Sequence, residues 1–227
     1  MKKMKVRVTL LTEMLGTFPT DPDTYIKFIE QRKKDKMFPE GVDTDRELEN
    51  IKRAIEEQNK NFEDADPDGP ITNQNPKMLT AFPRNEDFDL IMYDYQIRGF
   101  FKEACGSLKA ACKNDPDWGK ESNKISSYKK VIDGGIFVYP EEIPININGN
   151  LTIVSRSLRA QSPNPPYERV CISSSEAVPR GSTIDFEVLF PDKLENAVIE
   201  WLEYGKYKGF LQWRSGGKGR FSYEIIE

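Results

Sequence analysis

Val6, Val8 and Leu10 alternate with Lys5, Arg7 and Thr9. That two-residue period belongs to a strand with one buried face, and it predicts a first strand over 4–12. The period returns at Ser182–Phe190, where Ile184, Phe186, Val188 and Phe190 alternate with Thr183, Asp185, Glu187 and Leu189. Between these, Ile97, Phe101, Ala104, Cys105, Leu108 and Cys112 recur at helical spacing and predict a helix over 97–113. Gly99 near its start and Gly106 inside it lower helix propensity, by roughly 1 kcal/mol for an interior glycine, and such glycines often permit close approach of another backbone or a ligand. Asp192 caps a second helix reaching 204, with Leu194, Ala197, Val198, Trp201 and Leu202 on one face. Short strands are expected at Gly135–Tyr139, stopped by Pro140, and at Arg220–Ile226. Reduced to these elements, the order is βαββαβ. The expected fold class is α+β with a ferredoxin-like core, one sheet face covered by two helices and the other free for a ligand.

Two segments interrupt this skeleton. Residues 20–76 read as a helical, acidic insertion: Asp21, Pro22 and Asp23 open one helix, and Leu48, Ile51 and Ile55 line a second beginning near Asp43 or Thr44. The stretch Glu63–Pro76 is proline-rich and loop-like. Between Glu40 and Asp68 eleven acids face four bases. That surface is either a solvated helical face or one that docks a basic partner or imitates nucleic acid. Strand-like runs follow at Lys77–Phe82 and Phe88–Tyr93, and Asn114–Ser127 reads as polar loop. Residues 143–175 form the second interruption, a projecting β-hairpin with runs at Leu151–Val154 and Val170–Ile172 around the turn signals of Gln161–Pro166.

Composition narrows the chemistry. The 227 residues suffice for one domain carrying insertions. Histidine is absent, which excludes Ser-His-Asp and Cys-His catalysis and most zinc enzymes. A nuclease would need carboxylate-bound magnesium, and Asp89, Asp94 and Asp133 are scattered without metal spacing. No catalytic residue, metal ligand or cofactor is therefore expected. The three cysteines, Cys105, Cys112 and Cys171, form no CxxC pair and read as small core residues. No apolar run approaches a membrane span, and Arg7 breaks what would be a signal-peptide block, so the cytoplasm is the expected compartment and no membrane partner is expected.

The chain carries −4 overall, yet Gly205–Tyr223 holds Lys206, Lys208, Arg214, Lys218 and Arg220 and no acid. Lys and Arg neutralise phosphates, glycines let backbone N–H groups approach them, and Tyr207, Phe210 and Trp213 can stack bases. The alternative is a basic glycine turn joining helix to strand with its aromatics in the core. The segment matches neither a Walker loop nor a dinucleotide fingerprint. Arg98, Gly99 and Lys102 sit at a helix start that either receives an anion or is ordinary. Arg156 and Arg159 add basic character to the hairpin.

Ile97-Arg-Gly-Phe-Phe-Lys resembles the "apolar-Lys/Arg-Gly-x-x-Lys/Arg" helix start of the RAMP superfamily, the ferredoxin-like RNA-binding proteins of CRISPR effector complexes. Gly209 through Arg220, ending Gly217-Lys-Gly-Arg220, resembles that superfamily's C-terminal glycine-rich loop. The resemblance covers the core half of the chain. It implies RNA contact through the loop and a thumb-like hairpin of backbone subunits, with partners being single-stranded guide-like RNA, copies of the same chain or other CRISPR-complex subunits. The acidic insertion departs from the superfamily's pattern, and the missing histidine removes the usual base of its endoribonucleases. The expected RNA-binding residues are Arg98, Lys102, Arg156, Arg159, Lys208, Trp213, Arg214, Lys218 and Arg220. A different class of function, a mobile-element protein that binds or mimics part of a CRISPR complex, would instead work through the acidic insertion.

Overall fold

The computed structural model describes residues 1–19, 79–85, 87, 89–113, 115, 117–161 and 168–226. The expected acidic insertion at 20–76 lies outside the described residues. In chain order the elements are β1 (Lys2–Leu10), β2 (Met14–Leu15), β3 (Phe18–Pro19), β4 (Leu79–Ala81), β5 (Ile91–Tyr93), α1 (Asp94–Ala111), α2 (Lys120–Lys124), α3 (Tyr128–Gly135), β6 (Phe137–Tyr139), β7 (Glu142–Asn146), β8 (Thr152–Gln161), β9 (Glu168–Val178), β10 (Thr183–Phe190), α4 (Glu195–Tyr204) and β11 (Phe221–Ile226). This is a mixed α+β chain. It divides into two compact units, the first made of Met1–Leu15, Leu90–Leu151 and Val178–Glu227, the second of Gly16–Asp89 and Thr152–Ala177.

In the first unit the sheet runs β11-β1-β10-β7-β5, with β6 also paired to β10. The pairings of β1 with β10 and β11, of β10 with β6 and β7, and of β7 with β5 are all antiparallel. Alternation sets which side is buried. Met4, Val6, Val8 and Leu10 of β1 and Ile184, Phe186, Val188 and Phe190 of β10 are buried, and the register places Val6 opposite Phe186 and Val8 opposite Ile184. Helix α1 contributes Ile97, Phe101, Ala104, Cys105 and Leu108 to the same core, and α4 contributes Ala197, Val198, Trp201 and Leu202. Phe101 and Trp201 meet with ring centroids 5.6 Å apart. On the opposite face of the sheet Lys3 pairs with Glu187 and Arg7 with Asp185. The Arg7 guanidinium, by hydrogen bond, holds the Asp185 carboxyl below its ordinary value.

Several boundaries differ from the sequence reading, each for a local reason. Helix α1 begins three residues before the expected start, because the Tyr93 amide donates to Gln96 Oε1 at 2.9 Å and satisfies an otherwise orphan donor. The polar stretch expected as loop contains α2. The Glu121 and Ser122 amides at its N-terminal end donate to the Glu200 carboxylate, while Lys109 Nζ donates to the carbonyls of Ser122, Asn123 and Ile125 at its other end. A negative group at the start and a positive one at the end suit the helix dipole. Gly135, expected to open a strand, closes α3 instead. Glu142–Asn146, which overlaps the segment read as hairpin, pairs with β5 and β10 in the first sheet.

The second unit holds the long antiparallel pair β8–β9, in register from Thr152 opposite Ala177 to Gln161 opposite Glu168. Strand β9 pairs in parallel with β4, which pairs antiparallel with β3. The β9 segment Ser174-Ser175-Glu176 is buried. Its polar groups are matched rather than bare: Thr80 Oγ1 lies 2.8 Å from Ser175 Oγ, and Glu176 accepts from the Phe82 amide at 2.9 Å and from Arg84 at 2.7 Å. No helix among the described residues is long and apolar enough to cross a membrane.

Candidate nucleic-acid interface

The basic segment occupies the connection between α4 and β11. Its ends are fastened together: the Phe221 amide donates to the Gly205 carbonyl at 3.0 Å. A second fastening lies further out, where the Phe210 amide donates to the Gly219 carbonyl at 2.9 Å. Glycine is required on both sides of this pinch. A Cβ on Gly209 would stand 2.0 Å from the Gly219 carbonyl carbon, and one on Gly219 would stand 2.4 Å from the Phe210 oxygen. Gly219 also takes φ +69°, a conformation costly for residues with a Cβ. Beyond the pinch, residues 210–218 form a small lobe that turns through a 3-10 segment at Arg214–Gly216.

Several backbone donors at the end of the lobe are used within the protein. The Gly216 and Lys218 amides donate to the Trp213 carbonyl, the Gly217 amide to the Arg214 carbonyl, and the Gly219 amide to the Glu13 carbonyl. Thr12 Oγ1 donates to the Gly217 carbonyl at 2.8 Å and accepts from the Arg220 amide at 3.0 Å. Gly209 and Gly219 therefore serve close packing of the loop on itself, and the amides of Gly216, Gly217 and Gly219 are engaged within the protein.

Those side chains divide into paired and unpaired ends. Lys208 Nζ lies 2.9 Å from Glu103 Oε1 of α1, and Arg214 donates to Oε2 of the same carboxylate. Lys218 pairs with Glu13 and stands 5.5 Å above the Trp213 ring. Lys206 pairs with Glu203. Arg220 shows no ion pair among the described residues, and its buried Nε lacks a hydrogen-bond partner there. Burial moves the Arg214 guanidinium below its ordinary value. Burial and the neighbouring Glu203 carboxylate push the Tyr223 phenol, at the start of β11, up to about 12.

The three aromatics separate by role. Phe210 is 1% exposed and stacks on Phe221 at 4.2 Å, with Phe100 edge-on at 5.0 Å. It belongs to the core, as the glycine-turn alternative requires, and not to a stacking surface. Tyr207 is 64% exposed and braced edge-on by Trp118 at 5.4 Å. Trp213 is 37% exposed.

No protein-family model matches the chain, and no curated protein matches it in sequence. Among solved structures it is similar to a chain in the cryo-EM structure of the Type III-B Cmr-beta bound to cognate target RNA, with a TM-score of 0.49 and 9% identity, over 100% of this chain and 61% of that one. The chain thus spans about three-fifths of that neighbour's length. A TM-score under 0.5 at this identity establishes neither a common fold nor a common function.

Of the nine residues expected to touch RNA, the structure gathers Lys208, Trp213, Arg214, Lys218 and Arg220 on or beside the lobe. Arg98 and Lys102 lie one turn apart on α1, the first paired with Asp94 at 2.7 Å and the second with Asp133. Asp94 and Asp133, weighed as nuclease carboxylates, are thereby engaged with bases. No group of three or more acids or cysteines able to hold a metal occurs among the described residues. Arg156 and Arg159 lie on β8 in the other unit. Glu103, Glu13 and Trp118 escaped the sequence reading. Nothing local marks them, since Glu103 meets a partner 111 residues away.

Proposed function

We propose that this chain is a non-catalytic RNA-binding subunit of RAMP-like type, gripping the RNA backbone through the side chains of its C-terminal Gly/Lys/Arg loop. One observation carries the reading. Among the described residues the loop's five bases meet three carboxylates, Glu203, Glu103 and Glu13, with Glu103 serving two cations. The balance leaves about two net positive charges on a chain that is acidic overall, with Tyr207 and Trp213 exposed beside them. A cationic surface flanked by exposed aromatics suits a single strand, whose phosphates and unstacked bases are both within reach.

The order β11-β1-β10-β6, with α1 after β1 and α4 after β10, is the order a ferredoxin-like βαββαβ core would have, and it supports that finer description of the fold. In this reading the β8–β9 hairpin, carrying Arg156 and Arg159, is the thumb-like element. The partners are single-stranded guide-like RNA and either further copies of the chain or other subunits of a CRISPR-type complex.

The test is binding of labelled single-stranded RNA across a salt series, beside an Arg214/Lys218/Arg220 triple-alanine variant. Two to three neutralised phosphates correspond to a log–log slope of about −1.4 to −2 for a single strand, so affinity should drop about tenfold between roughly 50 and 200 mM salt. The variant should lose most of the binding. Absence of binding by folded wild-type protein would overturn the proposal.

A further inference from the structure

Glu103 of α1 gathers two cations of the loop. Both of its oxygens are occupied by loop cations, Oε1 by Lys208 and Oε2 by Arg214. The two cations come from opposite sides of the pinch at Gly209 and Gly219, so a single carboxylate on α1 ties the base of the loop to its outer lobe. All three side chains are about one-third exposed or slightly less. Ion pairs this open to water are weak enough to exchange partners. A carboxylate with two donors directed at it has the shape of a bound anion, and an Arg fork accepts phosphate in the same way.

We infer that Glu103 is a built-in competitor for the RNA phosphate, holding Lys208 and Arg214 in place while lowering the affinity of the loop for nucleic acid. The inference rests on the RNA-binding reading above and adds a sign to it. Glu103 would not itself touch RNA; it acts through the two cations. When an RNA phosphate arrives, the guanidinium and ammonium transfer from carboxylate to phosphate, and Glu103 turns to water. Removing its charge then has two effects. It frees both donors, and it removes one negative charge from beside the incoming phosphate.

The experiment compares wild-type protein with Glu103→Gln and Glu103→Asp for binding to a labelled single-stranded oligouridylate over a salt series. Gln keeps the shape and loses the charge; Asp keeps the charge. Glu103→Gln should bind about fivefold tighter at low salt, the factor that one unit charge about 4 Å away is worth in water. Its log–log salt slope should steepen by about 0.7, the increment for one further phosphate on a single strand. Glu103→Asp should stay near wild type. If wild type binds and Glu103→Gln binds equally or more weakly, Glu103 merely organises the loop and the inference is overturned. If neither wild type nor Glu103→Gln binds, the RNA reading itself falls and takes this one with it. The salt slope separates charge from structure, because a variant that only loosened the loop would weaken binding without steepening the slope.

Discussion

Replacing Phe210 with alanine tests whether the basic loop is anchored in the core or displayed as a stacking surface. The ring is 1% exposed, lies parallel to Phe221 at 4.2 Å and meets Phe100 at 5.0 Å, while Phe221 also meets Phe100 at 5.2 Å. Deleting one member of this trio removes the transfer free energy of a buried ring and leaves a cavity, together about 3–5 kcal/mol. The aromatic contacts belong to that cost, at about 0.5–1.5 kcal/mol for each pair beyond area alone. With a urea slope of about 2 kcal/mol/M, the midpoint should fall by about 1.5–2.5 M at unchanged slope. Tryptophan fluorescence is the apt probe, since Trp118, Trp201 and Trp213 are the chain's three tryptophans and all lie in the unit that holds Phe210. Tyr207→Ala is the comparison, because a ring 64% exposed has little burial to lose. Its midpoint should move by less than about 0.5 M, since surface substitutions stay near ±0.5 kcal/mol and only its contact with Trp118 adds to that. Should Phe210→Ala shift the midpoint no more than Tyr207→Ala does, the anchoring argument is wrong.

Two further perturbations follow from the same unit. Ser122 Oγ accepts from the buried Trp201 Nε1 at 3.0 Å and donates to Glu200 at 2.6 Å, so Ser122→Ala strands an indole N–H in the core and should cost about 1–3 kcal/mol in urea melts. The Tyr223 phenol, raised to about 12 in the folded state against an ordinary value of about 10, binds its proton more tightly folded than unfolded. Its contribution is therefore complete below about pH 10 and is lost as pH rises toward 12. Denaturation midpoints should fall over that window in wild type, and the fall should be shallower in Tyr223→Phe; equal slopes would refute the assignment.

How much of this was legible in the sequence depends on how local its cause is. The strands β1 and β10 and the helix α1 announce themselves because one periodicity decides which face is buried, and the buried sets Met4–Val6–Val8–Leu10 and Ile184–Phe186–Val188–Phe190 follow it. Helix α2 was illegible for the opposite reason. Its five residues carry too little propensity to predict, and its ends are satisfied by Glu200 and Lys109, which no spacing rule connects to it. Composition likewise revealed the cations of the C-terminal loop but not their counter-ions.

That last gap bears on how a basic glycine segment should be read. Five bases without an acid over nineteen residues look like an open phosphate cradle when taken along the chain. In space Glu103 and Glu13 enter from other elements, and the glycine amides turn inward to the carbonyls of Trp213, Arg214 and Glu13. The glycines are explained by backbone crossing at 209 and 219, where a Cβ would strike main chain, and that explanation holds whether or not RNA binds. What the RNA-binding proposal draws on is narrower: the surplus of cation over carboxylate among the described residues, and the exposed rings of Tyr207 and Trp213. A loop held closed by its own packing but incompletely neutralised is rigid before it meets an anion. Binding would then cost little ordering of backbone, and its strength would be set by how readily the cations exchange one carboxylate for another anion.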